Sequence, residues 1–514
     1  MELHWPDVVV FLGFVTFVVG ISLYKSRKEE TGEDYFLAGR NLTWPLIGFS
    51  LIASNISTEH FVGMAGQGAG DVGLAVASYE WMAAITLVVV GIFFLPRFLK
   101  AGIYTIPEYL EYRYNAAARG IMSLFIMVVY VFVSIAAVLY TGGLAIKTIF
   151  GMNLYLMIFS IGLIASAYTI YGGLKAVVWA DLMHGAALLI GGAIVMILGF
   201  REVGGVKNFL ENNSDRLHMF LPADHEILPW TALIIGLWIP NFYYWGLNQF
   251  ITQRTLGAKS LKQGQRGVIF AAALKLFIPF IVVFPGIMAV QLYGDQLPLE
   301  KADQAYPLLL RNLLPTGLLG LMFAAIFGAI MSSLDSMLNS ASTIFTMDLY
   351  KRHLKKDASP RNIVLVGRIA TAVFVVVGCV VACFLDNPKF GGIFNYIQEF
   401  QGYISPGILA AFAFGMIVRK APPLAGIAGL VLCAPLYGIL QFAPRVSEMA
   451  FLNRMAITFG VLIVVMTIIT LIKPLPEPKV ITKTSDIDMT SSATAKLGGI
   501  IIIIVTVTLY IIFR

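Results

Sequence analysis

Long apolar runs, separated by short polar stretches, fill almost the whole 514-residue chain. They fall near 7–24, 44–68, 74–96, 120–146, 153–170, 176–200, 228–249, 267–292, 315–344, 362–385, 392–418, 423–442, 451–472 and 497–513. A bilayer-spanning helix takes about 20 such residues. None of the runs shows the strict alternation of a barrel strand. The pattern predicts an all-α integral membrane protein with about 14 transmembrane helices. The longest loops, 25–43, 97–119, 201–227, 250–266, 293–314, 346–361 and 473–496, are too short to hold an independent soluble domain. The first run follows Glu2 and Asp7 instead of a basic start, so it reads as a retained membrane helix and not as a cleaved leader.

Composition agrees: 58% of residues are hydrophobic and 13% charged, against about a quarter charged in soluble proteins. That excludes a soluble enzyme with a membrane tag, a coiled coil and a disordered chain. The net charge of +7 points to topology before it points to a polyanionic partner. Alternating the loops between two sides places about 25 basic residues on one and about ten on the other, the bias expected of cytoplasmic loops. Lys25, Arg40, Arg97, Arg113, Arg119, Arg254, Lys259, Lys351, Arg352, Arg419 and Lys479 fall on the basic side, and Arg201 and Lys207 on the other. Both termini are then extracellular or periplasmic, in a multi-pass protein of the cell membrane. Three cysteines make no disulfide framework; Cys379 and Cys383 share a helix face as apolar thiols. No zinc spacing, phosphate loop, dinucleotide fingerprint or catalytic constellation stands out, so no enzyme is expected.

Polar groups inside hydrocarbon cost several kcal/mol and need a reason. The run 44–68 carries Ser54-Asn55-Ile56-Ser57-Thr58-Glu59-His60 followed by several glycines, which reads as a broken helix whose freed carbonyls face a cavity. The run 228–249 carries Pro240-Asn241, then Tyr243, Tyr244, Trp245, Asn248 and Gln249; proline at its centre predicts a second break there. The breaks lie five spans apart. An odd spacing makes spans two to six and seven to eleven repeats of opposite orientation, with a binding site between them. The chain then divides into a leading helix and inner loop (1–43), a first repeat (44–200), an outer loop (201–227), a second repeat (228–418) and peripheral C-terminal helices (419–514). Within 315–344, Ser332, Ser336 and Ser340 form one stripe, with Ser333, Asp335 and Asn339 beside it. Such hydroxyls suit either a hard cation or close helix packing. Glu80, Lys275, Gln398 and Glu399 interrupt other runs. They fit either a buried ion-pair network or a ligand rich in hydroxyls, with Tyr and Trp faces to stack on a sugar ring. His60 is open to ligand hydrogen bonding, structural pairing or proton relay.

Taken together, Asn55-Ile56-Ser57 with Glu59, Ala77 to Met82, Tyr171-Gly172-Gly173-Leu174, Asn241 to Gln249, Gln253-Arg254, Ser332-Ser333 through Asn339, Phe345 to Asp348, and Tyr396-Ile397-Gln398-Glu399 with Ser405-Pro406-Gly407 resemble the sodium:solute symporter family, in its sodium/glucose cotransporter branch. The resemblance runs in order through roughly 50–420 and implies a five-plus-five inverted-repeat (LeuT-like) core. It implies sugar contacts from Asn55, His60, Glu80, Asn241, Lys275 and Gln398, and an aromatic gate from Tyr79, Tyr244 and Trp245. It implies a sodium ion held by Ala53, Ile56, Ala329, Ser332 and Ser333, and a coupling role for Asp181. Asp335, at a position commonly small and neutral, would join Asp181 and Ser336 in a second cation site. His60 and Ala83 depart from the bacterial galactose pattern, which has Gln and Ser there. The function implied is a secondary active symporter that couples inward sodium flow to uptake of a monosaccharide or polyol by alternating access. Sodium ions, the sugar and the lipid bilayer are its partners, no nucleic acid is involved, and a homodimer is compatible with the chain. The alternatives are a sodium symporter for another small solute, or a sugar-gated sensor or channel on the same scaffold. A carboxylate solute would call for an arginine in the pocket runs, where only Lys275 stands.

Overall fold

The computed structural model describes residues 4–26, 31–150, 152–385, 397, 400–444, 446, 448–480 and 485–514. Among these residues the chain is helical, and extended pairing is confined to isolated bridges such as Leu42 with Ala258 and Ser260 with Asp488. Among the described residues, eleven helices are long and apolar enough to cross a membrane. They meet the expectation of about 14 spans only in part. The three remaining runs, 44–68, 153–170 and 228–249, form shorter pieces, and two of these are the predicted broken segments.

The first broken segment is helical over Trp44–Asn55, extended at Ile56, and resumes as a wide π turn, Glu59–Met64, before Ala65–Ala69. The second runs through Trp230–Ile234, Trp238–Phe242 and the π turn Tyr243–Leu247, then becomes extended at Asn248. Its breaks lie on either side of Pro240 and not at it. Pro240 occupies the first turn of its short helix, where a missing N–H breaks no ladder bond.

Leu154–Glu202 is helical over 49 residues, about 74 Å if straight, far more than one crossing needs. Gly173 changes its direction, with φ 51° and ψ −151°, a conformation a side chain would strain. The segments before and after Gly173 are thus separate arms. The serine-bearing helix, Leu318–Ile344, packs most extensively against this pair and sits at the centre of the molecule. Leu261–Tyr293 carries Pro279 and Pro285. Each proline frees the carbonyl four residues before it. For Pro285 that carbonyl is Ile281, which accepts from the Tyr306 hydroxyl at 3.4 Å. Gly286 lets the backbone of this helix approach the Ala65 carbonyl of the first broken segment, a space a Cβ would fill.

The loops gather at two ends. At one, Arg40 donates to the carbonyls of Gly102 (2.8 Å), Ile103 (3.1 Å) and Leu256 (3.1 Å). Lys479 bonds Arg419 and Tyr114, and Arg352 pairs with Glu111 at 2.6 Å. Burial pushes the Glu111 carboxyl up, but hydrogen bonds from Arg352 and Arg119 outweigh it and hold the group below the usual carboxylate range. At the other end the Met219 amide donates to the Phe513 carbonyl at 2.9 Å, and Asp7 accepts from the Gly317 and Gly320 amides at 2.7 and 2.9 Å. Phe513 thus packs beside loop 201–227, and Asp7 beside the start of Leu318–Ile344.

Candidate functional site

The two broken segments meet around a cavity of about 120 Å³. Of the residues expected to contact sugar or gate it, Asn55, His60, Tyr79, Glu80, Asn241, Tyr244 and Trp245 line its wall. Asn55 is the last residue of its helix, and His60 lies in the π turn just beyond. Glu80 comes from the first turn of Ser78–Val89, and Asn241 and Tyr244 from the second broken segment. Gln398 lies outside the described residues, but its neighbours Ile397 and Gln401 are on the wall.

One chain of hydrogen bonds organises these groups. The Lys275 ammonium donates to Asn55 Oδ1 and to Glu80 Oε2. Asn55 in turn donates from Nδ2 to the Tyr244 hydroxyl at 3.1 Å. The other Glu80 oxygen lies 3.4 Å from His60 Nε2. His60 Nδ1 accepts the Ser57 amide at 3.4 Å, which assigns the imidazole proton to Nε2. Lys275 is fully buried and sits 4.8 Å from the centre of the Trp245 ring. It is absent from the cavity wall itself. Its ammonium nevertheless reaches Asn55 and Glu80, both on the wall, and orients them. Asn241 is tied to its own helix, Nδ2 donating to the Leu237 carbonyl at 3.0 Å.

Of the expected sodium ligands, the structure brings Ser333 against the first helix break. Because Ser57 gives its amide to His60, the Ala53 carbonyl loses its usual helical partner. Ser333 donates to the adjacent Ser54 carbonyl at 3.2 Å, so the first break and the serine stripe touch. Ala53, Ile56, Ala329, Ser332 and Ser333 are all buried. A set of carbonyls and hydroxyls at a helix break offers hard oxygen donors. Ser332 points its hydroxyl at Asp181.

Asp181 and Ser336 come together, but around an arginine. Arg254 Nη2 is 3.0 Å from Asp181 and also donates to Ser336, and its Nε donates to Ser50 at 2.5 Å. Ser50 and Ser54 complete the shell of Asp181. Asp335 takes a different partner: Thr169 donates to one oxygen at 2.9 Å, and the other is buried with no partner among the described residues. Hydropathy assigned Arg254 to a basic loop; the structure buries it fully beside Asp181. Sequence reasoning also gave no site role to Glu59, Met64, Gln67, Val76 or Gln401, all on the wall. Glu59 and Gln67 stand inside the glycine-rich polar stretch that marked the first break, which was the available signal.

Comparison with known proteins follows the same lines. The sodium:solute symporter family is matched over residues 35–432. The chain is 41% identical to a sodium/glucose cotransporter of Vibrio parahaemolyticus, over 99% of this chain and 98% of that one. It is 35% identical to sodium/myo-inositol cotransporter 2 of Mus musculus, over 83% of this chain and 68% of that one. In structure it is similar to a substrate-bound, outward-open Na+-coupled sialic acid symporter, with a TM-score of 0.82 and 24% identity over 92% of this chain and 98% of that one.

Proposed function

We propose, for a chain that belongs to the sodium:solute symporter family, sodium-driven uptake of a monosaccharide or polyol by alternating access. It is a multi-pass membrane transporter with sodium as the coupling ion. One observation carries the reading. The groups around the cavity are wired through Asn55 to the helix break whose other side touches Ser333. In this reading sodium sits among the carbonyls of Ala53, Ile56 and Ala329 and the hydroxyls of Ser332 and Ser333. The sugar takes hydrogen bonds from Asn55, His60, Glu80, Asn241, Lys275 and Gln398, with Tyr79, Tyr244 and Trp245 as aromatic gates. Neutral sugars and polyols need such mixed donors and acceptors, and glucose and myo-inositol cotransporters among the relatives support that class.

Coupling then follows from differential affinity. Sodium straightens the junction at 53–56 and fixes Asn55 and His60 in sugar-binding posture; its loss to a low-sodium interior relaxes both. One charge crossing 100 mV yields about 2.3 kcal/mol, and a tenfold gradient about 1.4 kcal/mol. Together these support roughly 500-fold accumulation with one sodium. Arg254 supplies the cation beside Asp181 and Ser336, so these two residues act on sodium through Ser332; the open oxygen of Asp335 is where a second cation would bind. The architecture that goes with this function has about 14 spans, two opposed five-helix repeats at 44–200 and 228–418, and both termini outside.

The test is uptake of labelled hexoses and myo-inositol into proteoliposomes under an inward sodium gradient, with counterflow against a sugar panel. Accumulation that needs sodium is the expected result. Equal accumulation in potassium alone would overturn sodium coupling, and sugar-evoked current without accumulation would favour a sensor or channel.

A further inference from the structure

The charges around the cavity do not cancel. Lys275 and Glu80 neutralise one another, and His60 accepts the Ser57 amide on Nδ1 and turns Nε2 to Glu80. Arg254 is spent on Asp181. That leaves Glu59. It is half-buried, lies on the cavity wall in the π turn beside His60, and makes no ion pair among the described residues. The described wall includes no lysine or arginine, and Gln67 and Gln401 bring amides only. Among the described residues the wall therefore presents one carboxylate, Glu59, without an ion-pair partner.

We propose that Glu59 is the charge selector of this site, so that it accepts neutral polyols, favours sugars carrying an ammonium group and rejects sugar acids. The inference rests on the sugar reading above and adds the substrate's charge class to it. A carboxylate has acceptor capacity for two neighbouring hydroxyls and for an ammonium, but meets a sugar carboxylate with repulsion in a partly dehydrated cavity. At separations of a few ångströms and intermediate dielectric, exchanging a positive for a negative substituent is expected to shift affinity by tenfold or more.

The experiment uses the full-length protein in proteoliposomes, with sodium-driven uptake of a labelled neutral hexose read at fixed pH. The competitors are glucose, 6-amino-6-deoxyglucose and glucuronate. In the wild type the amino sugar should compete at least about tenfold better than the uronate, relative to glucose. Glu59→Gln should shrink that ratio about tenfold while still accumulating the neutral hexose, and Glu59→Asp, which keeps the charge, should preserve it. An unchanged ratio in a transporting Glu59→Gln variant overturns the proposal. If that variant binds but does not turn over, the same ratio is read from sodium-dependent quenching of tryptophan fluorescence in detergent, with the same criterion. Failure of the wild type to accumulate any neutral hexose or polyol would instead sink the sugar reading, a separate outcome.

Discussion

Lys275 shows how one residue serves fold and function together. Its ammonium is buried among Asn55, Glu80 and the Trp245 face, with no water-facing surface. Removing one member of such a pair strands the other charge in low dielectric, which costs about 3–5 kcal/mol. Lys275→Met should therefore lower thermal stability in detergent by an amount of that order. Adding Glu80→Gln should recover most of it, because the stranded carboxylate is gone. Sugar affinity should not return with stability, since Asn55 and the position-80 side chain have lost their common anchor. The check is paired thermal unfolding and counterflow on both variants. A double variant that regains transport would make the pair purely structural.

At the scale of elements, the coupling device is the contact between an interrupted helix and an uninterrupted one. Trp44–Asn55 stops because Ile56 is extended and Ser57 bonds forward to His60, and Ser333 closes the gap by donating to the Ser54 carbonyl. Ser333→Ala should raise the sodium concentration for half-maximal uptake about tenfold. At saturating sodium it should leave the sugar half-saturation within about twofold. Equal effects on both ligands would mean that the two sites are one. Much of this was legible in the sequence, since Asn55, His60, Glu80 and Tyr244 are polar positions in apolar runs and such positions converge on a cavity. Three features were not. Pro240 marks the second break without causing it, because a proline in a first turn is harmless. That Lys275 pairs with both Asn55 and Glu80 depends on helix rotation, which no spacing rule encodes. Arg254 ends an apolar run, so hydropathy counts it with the loops, and only the packing of Gln249–Leu256 against Trp44–Asn55 and Leu318–Ile344 reveals it as a buried cation.

For the whole molecule, the sided gathering of loops decides which way the transporter faces. Arg113 donates to the carbonyls of Gly415, Val418 and Ala421, closing the end of Ser405–Ile417, and Arg119 bridges Glu111 and Asp348. Together with the Arg40 and Lys479 contacts, these bonds bring 38–42, 102–119, 256–260, 348–352 and 415–421 onto a single face. Several of its arginines are buried, so part of the basic excess there holds loops together. The positive-inside rule predicts that the exposed remainder, such as Lys355 and Lys356, faces the cytoplasm. The opposite face carries loop 201–227, Asp7 and Phe513. Single cysteines at Ala223 and at Lys356, both exposed, report the orientation in a background where the partly accessible Cys383 is serine. An impermeant maleimide should label Ala223→Cys in intact cells and Lys356→Cys only after permeabilisation. The reverse pattern would place the termini inside, and with them the direction in which sodium drives the sugar.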